Sequence, residues 1–169
     1  MTAARRNRRH YCFSLAAIIG LFACAGLTFV LATGPGASAS ERIVVDWHTG
    51  LAIDGYDPVA FFTDGKPLQG SANLELRRGD VVWRFINVGN RAAFAAAPNV
   101  YMPQYGGYDP IGVARGLAVA GNPNVWAIQG QRLFLFYDNT RRQKFVGDPN
   151  RVTASADRKW PDVQRTIVP

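Results

Sequence analysis

Leu74-Glu75-Leu76-Arg77-Arg78-Gly79-Asp80-Val81-Val82-Trp83-Arg84-Phe85-Ile86 is the stretch that decides the fold class. Two runs rich in strand formers, Leu74–Arg77 and Val81–Ile86, flank the turn-like Arg78-Gly79-Asp80, which predicts a β-hairpin. Further on, Val125–Ile128 and Leu133–Tyr137 flank Gln129-Gly130-Gln131 and predict a second hairpin. Between the two, Arg91–Ala97 favours a helix that Asn87 caps and Pro98 ends. From about Thr140 the chain reads as one or two helices, broken at Asp148-Pro149 and closed by Trp160-Pro161. Hairpins stand apart from short helices, with no strand–helix–strand rhythm. The expectation is an α+β class: a small single domain of two β-hairpins with short helices.

Two bends punctuate this plan. Gly-Tyr-Asp-Pro occurs at Gly55–Pro58 and again at Gly107–Pro110. Glycine admits a positive φ, and proline excludes the α region for the residue before it. Each copy therefore reads as a sharp bend whose aspartate caps a short helix or turn. The echo suggests an internal duplication. Its flanks, Phe61-Phe62 against Gly112-Val113, continue differently, so the expectation is coincidence. Thr63–Lys66 is a further turn signal, and Tyr101–Tyr108 reads as an aromatic-rich loop.

The N-terminus carries export chemistry. Arg5, Arg6, Arg8 and Arg9 precede the uncharged run Cys12–Ala32, and the small residues Ala37-Ser38-Ala39-Ser40 follow. That order matches a signal peptide cleaved after Ala39, leaving residues 40–169 as a periplasmic or secreted domain. The run, 12–32, is also long enough to span a bilayer as an uncleaved anchor, so an inner-membrane protein with its domain outside the cytoplasm is the alternative. The chain carries +7 in all, but four of its arginines lie in residues 1–39. Fifteen basic against twelve acidic residues remain, about +3. The high pI is thus largely a property of the leader and argues for no nucleic-acid partner. Both cysteines, Cys12 and Cys24, lie in the apolar run, so the exported part has no thiolate ligand, disulfide or cysteine nucleophile.

Candidate binding chemistry centres on the bends. Tyr56, Tyr105 and Tyr108 offer flat apolar bodies with polar tips, and Gly106 and Gly107 let a ligand or another backbone come close. Asp57 and Asp109 complete the candidate ligand set, although as helix caps they need no ligand. His48 and Asp109 are weak candidates for a metal ion. No catalytic constellation stands out; Asp54 and Asp57 are close enough in sequence for paired-carboxylate chemistry, a commonplace pattern that leaves that reading open.

Taken in order, Asp54–Phe62, Trp83-Arg84-Phe85, Asn90–Phe94, Pro103–Tyr108, Trp126, Leu133–Tyr137, Ala156-Asp157 and Trp160-Pro161 resemble the exported bacterial YHS domain-containing proteins. The resemblance covers nearly all of residues 43–162. It implies a treble-clef-like module and a role in binding a small ligand, a metal ion or a partner protein in the cell envelope. The exported relatives usually carry a cysteine directly after Gly-Gly-Tyr, where this chain has Asp109. That departure removes soft-metal or thiol chemistry at the position. The expected function is a non-catalytic binding module. The alternatives are a hydrolase or redox enzyme using Asp and Tyr side chains, or a membrane-anchored structural envelope protein.

Overall fold

The computed structural model describes residues 42–167. The expected signal or anchor, with its run 12–32, both cysteines and the Ala39 site, lies outside these residues. Among the described residues no helix is long and apolar enough to cross a membrane.

The chain opens with an extended segment that bridges Val45 to Ala52, then a 3₁₀ turn at Ile53–Gly55 and the short helix α1 (Ala60–Thr63). Strands β1 (Ser71–Arg78) and β2 (Val81–Phe85) pair antiparallel, and helices α2 (Val88–Ala96) and α3 (Pro98–Tyr101) follow. A second 3₁₀ turn (Gln104–Gly107) leads to α4 (Pro110–Val113), the antiparallel pair β3 (Asn122–Gln129) and β4 (Arg132–Phe136), and helices α5 (Asn139–Gly147) and α6 (Pro149–Thr166). The expected α+β domain of two hairpins and short helices is what forms.

The second run of elements repeats the first, so the Gly-Tyr-Asp-Pro echo is a structural duplication and not a coincidence. Gly55 and Gly107 hold φ of 77° and 89°, each after non-glycine residues in the left-handed region, Ile53 and Asp54 in one case and Tyr105 in the other. Gly70 N–H donates to Gly55 O at 2.9 Å, and Gly121 N–H to Gly107 O at 3.0 Å. A Cβ on Gly70 would lie 2.4 Å from the Arg84 carbonyl carbon, and one on Gly121 2.6 Å from Gly107 O. Both hairpins slip register at the same place, between Ser71 and Glu75 and between Asn122 and Trp126. The side chains of Asn87 and Asp138 cap α2 and α5, each accepting at 2.8 Å.

The aromatic cores repeat as well. Phe94 of α2 meets Trp83 and Phe85 of β2 at ring-centroid distances of 4.8 and 5.4 Å. Phe145 of α5 meets Phe134 and Phe136 of β4 at 4.7 and 5.1 Å. What the two units share is the backbone bends, their hydrogen bonds and one aromatic triad. The side chains after each bend are free to diverge, which is why flanks such as Phe61-Phe62 and Gly112-Val113 conceal the repeat.

The two units are unequal in burial. All four residues Leu133–Phe136 are at most 1% exposed. Leu133 and Leu135 face the cluster of Ile53, Val59, Phe61, Trp83, Phe85 and Phe94, while Phe134 and Phe136 join Tyr105, Val113, Phe145 and Ala156. Strand β4 is therefore the wall between two cores, and an uninterrupted apolar run is what a strand buried on both faces requires.

Two further expectations need correction. Tyr101–Tyr108 is not one loop: α3 runs to Tyr101, and Gln104–Gly107 is a 3₁₀ turn. Trp160-Pro161 does not close the last helix, which continues to Thr166 with Pro161 inside it. The proline lacks one backbone donor, but Trp160 packs against Tyr105 and Val163 is 2% exposed, so tertiary contacts hold the helix on both sides of it.

Candidate functional site

The two aspartates of the bends are structural clasps. Asp57 is fully buried: its Oδ1 accepts from Val59 N–H at 2.8 Å and Ala60 N–H at 3.4 Å. Its Oδ2 accepts from Ile86 N–H at 2.9 Å and from Asn90 Nδ2 at 2.7 Å. Asp109, also fully buried, accepts at Oδ1 from Ile111 N–H at 2.7 Å and Gly112 N–H at 3.1 Å. Its Oδ2 accepts from Tyr137 N–H at 2.8 Å and faces Arg141 Nη1 at 3.5 Å. Each carboxylate thus caps a short helix and ties it to the end of the following hairpin and to the next helix. The capping part was legible from Asp-Pro; the long-range partners were not.

The other candidates disperse. Tyr56 packs against the first core, and its hydroxyl shares a hydrogen bond of about 3 Å with the Asn124 side chain. Tyr108 packs against the second core with its ring 6.0 Å from Trp160, and burial raises its hydroxyl pKa against the opposing charge of Arg42. Gly107 is enclosed by Ile53, Leu135 and Pro103. His48 sits at an exposed turn with its ring tilted against Trp47, and Asp46 Oδ1 accepts from the backbone N–H groups of Thr49 and His48, bonds that lower the Asp46 pKa. Among the described residues no three His, Cys, Asp or Glu side chains gather into a metal-binding group.

Tyr105 and Gly106 do share a site. They line a cleft of about 230 Å³ with Arg42, Ile43, Asn99, Met102, Pro103, Gln104, Arg132, Asp157, Trp160 and Gln164. The cleft exists because the N-terminal segment lies on the second 3₁₀ turn. Val44 N–H donates to Gly106 O at 2.8 Å. A Cβ on Gly106 would stand 1.7 Å from the Arg42 carbonyl oxygen, so only glycine allows that approach. The close contact foreseen at Gly106 is thus made by the chain's own backbone, which delivers Arg42 to the cleft.

The floor of the cleft is a polar chain. Tyr105 Oη donates to Asp157 Oδ1 at 2.8 Å, and Arg132 Nη2 stands 3.7 Å from the same oxygen while donating to Gln104 Oε1 at 2.6 Å. Burial first, and then the bond to Asp157, raise the Tyr105 pKa far above that of a free tyrosine, so its hydroxyl stays a donor. Trp160 meets the Tyr105 ring edge-on at 5.7 Å and forms an aromatic wall. Arg42, Arg132, Asp157 and Trp160 were not singled out as site residues. The sequence signal was present, since Ala156-Asp157 and Trp160-Pro161 belong to the resemblance, but interleaved charges in the last third read as a solvated helix face.

A second, roomier cleft of about 480 Å³ runs along β3 beside α5, lined by Asn124–Gln129, Asn139, Arg142 and Val146, with Arg142 Nε donating to Trp126 O at 2.7 Å. Neither cleft is lined by Asp54, Asp57 or Asp109. No protein-family model matches the chain, and no curated protein or solved structure matches it either.

Proposed function

We propose that this chain is an exported, non-catalytic binding module of the YHS, treble-clef-like type, and that it holds a small organic ligand in the cleft between the second 3₁₀ turn, α6 and the Arg42–Ile43 segment. One observation carries the reading: the cleft lies where the two structural repeats stop matching. Where the first unit has Ile53 and Asp54, the second has Tyr105 and Gly106. Where the first unit ends in the four-residue α3, the second ends in the 18-residue α6, which brings Asp157, Trp160 and Gln164 to the site. These differences line a pocket with convergent polar groups on an aromatic wall, the usual anatomy of a small-molecule site.

The non-catalytic part rests on how the titratable groups are used. Both buried aspartates spend their oxygens on backbone and side-chain donors, and the Tyr105 hydroxyl is held protonated. Among the described residues, no activated nucleophile stands beside a free base in the cleft.

The test is a fragment screen on the ¹⁵N-labelled full chain in mild detergent. The Trp160 indole N–H and the Tyr105 and Gly106 amides should shift together and saturably with a subset of fragments. Shifts confined to the β3–α5 cleft, or to no site at all, would refute the assignment. Elemental analysis of the same protein addresses the metal-binding version of the family reading, which needs a stoichiometric ion that no clustered ligands here anticipate.

A further inference from the structure

We infer that the ligand is a small carboxylate with a flat apolar body; this rests on the binding reading above. The lining carries Arg42 and Arg132 against Asp157, two positive charges to one negative, so the cleft favours an anion. The two arginines differ in how far they are engaged. Arg132 uses one amino nitrogen, Nη2, for both Gln104 and Asp157, and its guanidinium lies 5.4 Å over the Phe134 ring, so a ligand would meet it at the edge of the fork that these partners leave. Arg42 makes no hydrogen bond or ion pair among the described residues. A guanidinium fork matches the two oxygens of a carboxylate in plane.

Phosphate is the weaker fit. Phosphate sites characteristically use helix N-termini or nests of backbone N–H groups. Here α6 contributes Asp157, Trp160 and Gln164, well past its N-terminus at Pro149. The apolar half of the lining comes from Trp160, Tyr105 and Met102, which suit a ring or a short planar chain. At about 230 Å³ the space falls below the roughly 300–1,000 Å³ of ordinary ligand pockets, so the body is small.

The experiment compares three probes of one shape, benzoate, benzamide and benzylammonium, on the full chain, with the Trp160 indole N–H as readout. Benzoate should saturate in the millimolar range, and benzamide should bind about tenfold more weakly, the size expected for losing a charge-assisted hydrogen bond. Arg42→Gln, at the edge of the fold, should weaken benzoate by a similar factor with the melting temperature unchanged. Arg132→Gln should weaken benzoate likewise and serves as the second variant, with some loss of melting temperature expected from its bonds to Gln104 and Asp157. Equal binding of benzoate and benzamide, tighter binding of benzylammonium, or indifference to both substitutions would overturn the carboxylate and leave the cleft as a site for another class. If none of the three probes and no fragment moves the Trp160 signal, the binding reading itself falls.

Discussion

Replacing Asp109 tests whether a single buried carboxylate holds the second unit together. Its oxygens satisfy three backbone N–H groups, of Ile111, Gly112 and Tyr137, and face Arg141 at 3.5 Å. Asp109→Ala leaves those donors without a partner in a site that is fully buried. Each orphaned buried donor costs about 1–3 kcal/mol, so a loss of about 3–6 kcal/mol is expected after partial relaxation. That is a large share of the roughly 5–15 kcal/mol that holds a domain of ordinary stability.

Asp109→Asn is the sharper variant. Whichever way the amide turns, its NH₂ meets a backbone N–H instead of accepting from it. If the oxygen keeps the helix cap, only the Tyr137 bond is lost, and about 2–3 kcal/mol is expected. Asp109→Cys, which restores the residue of the resembled family, should fall near the alanine value, because a thiol is a weak acceptor. Urea denaturation of the full chain in mild detergent, followed by tryptophan fluorescence and far-UV circular dichroism with unchanged m-values, measures all three. A cost below about 1 kcal/mol for Asp109→Ala, or an asparagine variant no better than alanine, would show that the carboxylate does not carry these bonds.

Three further outcomes are expected. Arg141→Asn borrows the solution of the first unit, where Asn90 donates to Asp57 at 2.7 Å, and should stay within about 1 kcal/mol of the parent by the same denaturation assay. Gly106→Ala puts a Cβ on the Arg42 carbonyl and adds the strain of a left-handed alanine at φ 62°; hydrogen exchange should show loss of protection at the Val44 amide, with the β-hairpins unaffected. Because the folded pKa of Tyr105 lies above its ordinary value of 10.0, the unfolded chain releases this proton first as pH rises. The tyrosine's contribution is therefore complete below about pH 10 and declines above it, and Tyr105→Phe should flatten that alkaline decline in a series of melting curves from pH 8 to 11 while losing the Asp157 bond at all pH values.

Local chemistry made much of the fold legible. Strand-forming runs around short turns located both hairpins, Asn87 announced α2, and Asp148-Pro149 divided α5 from α6, because each signal acts within a few residues. The Asp-Pro pairs likewise announced two caps. At the site, Tyr105 and Gly106 were recognisable as unusual, while Arg42, Arg132 and Trp160 were not, since each gains its meaning from neighbours far along the chain.

The sequence by itself determined the element types, the two bends and the absence of thiols from residues 40–169, all properties of composition and of short-range sterics. Only the tertiary structure decided that the bends are duplicates. Their equivalence lies in matching hydrogen bonds, Gly70 to Gly55 and Gly121 to Gly107, and in matching aromatic triads, which join residues well beyond the reach of local sequence signals and tolerate different side chains between them. It also decided which tyrosine faces a cleft. The same left-handed turn places Ile53 in a core and Tyr105 beside Asp157, because only the second unit is covered by a long helix.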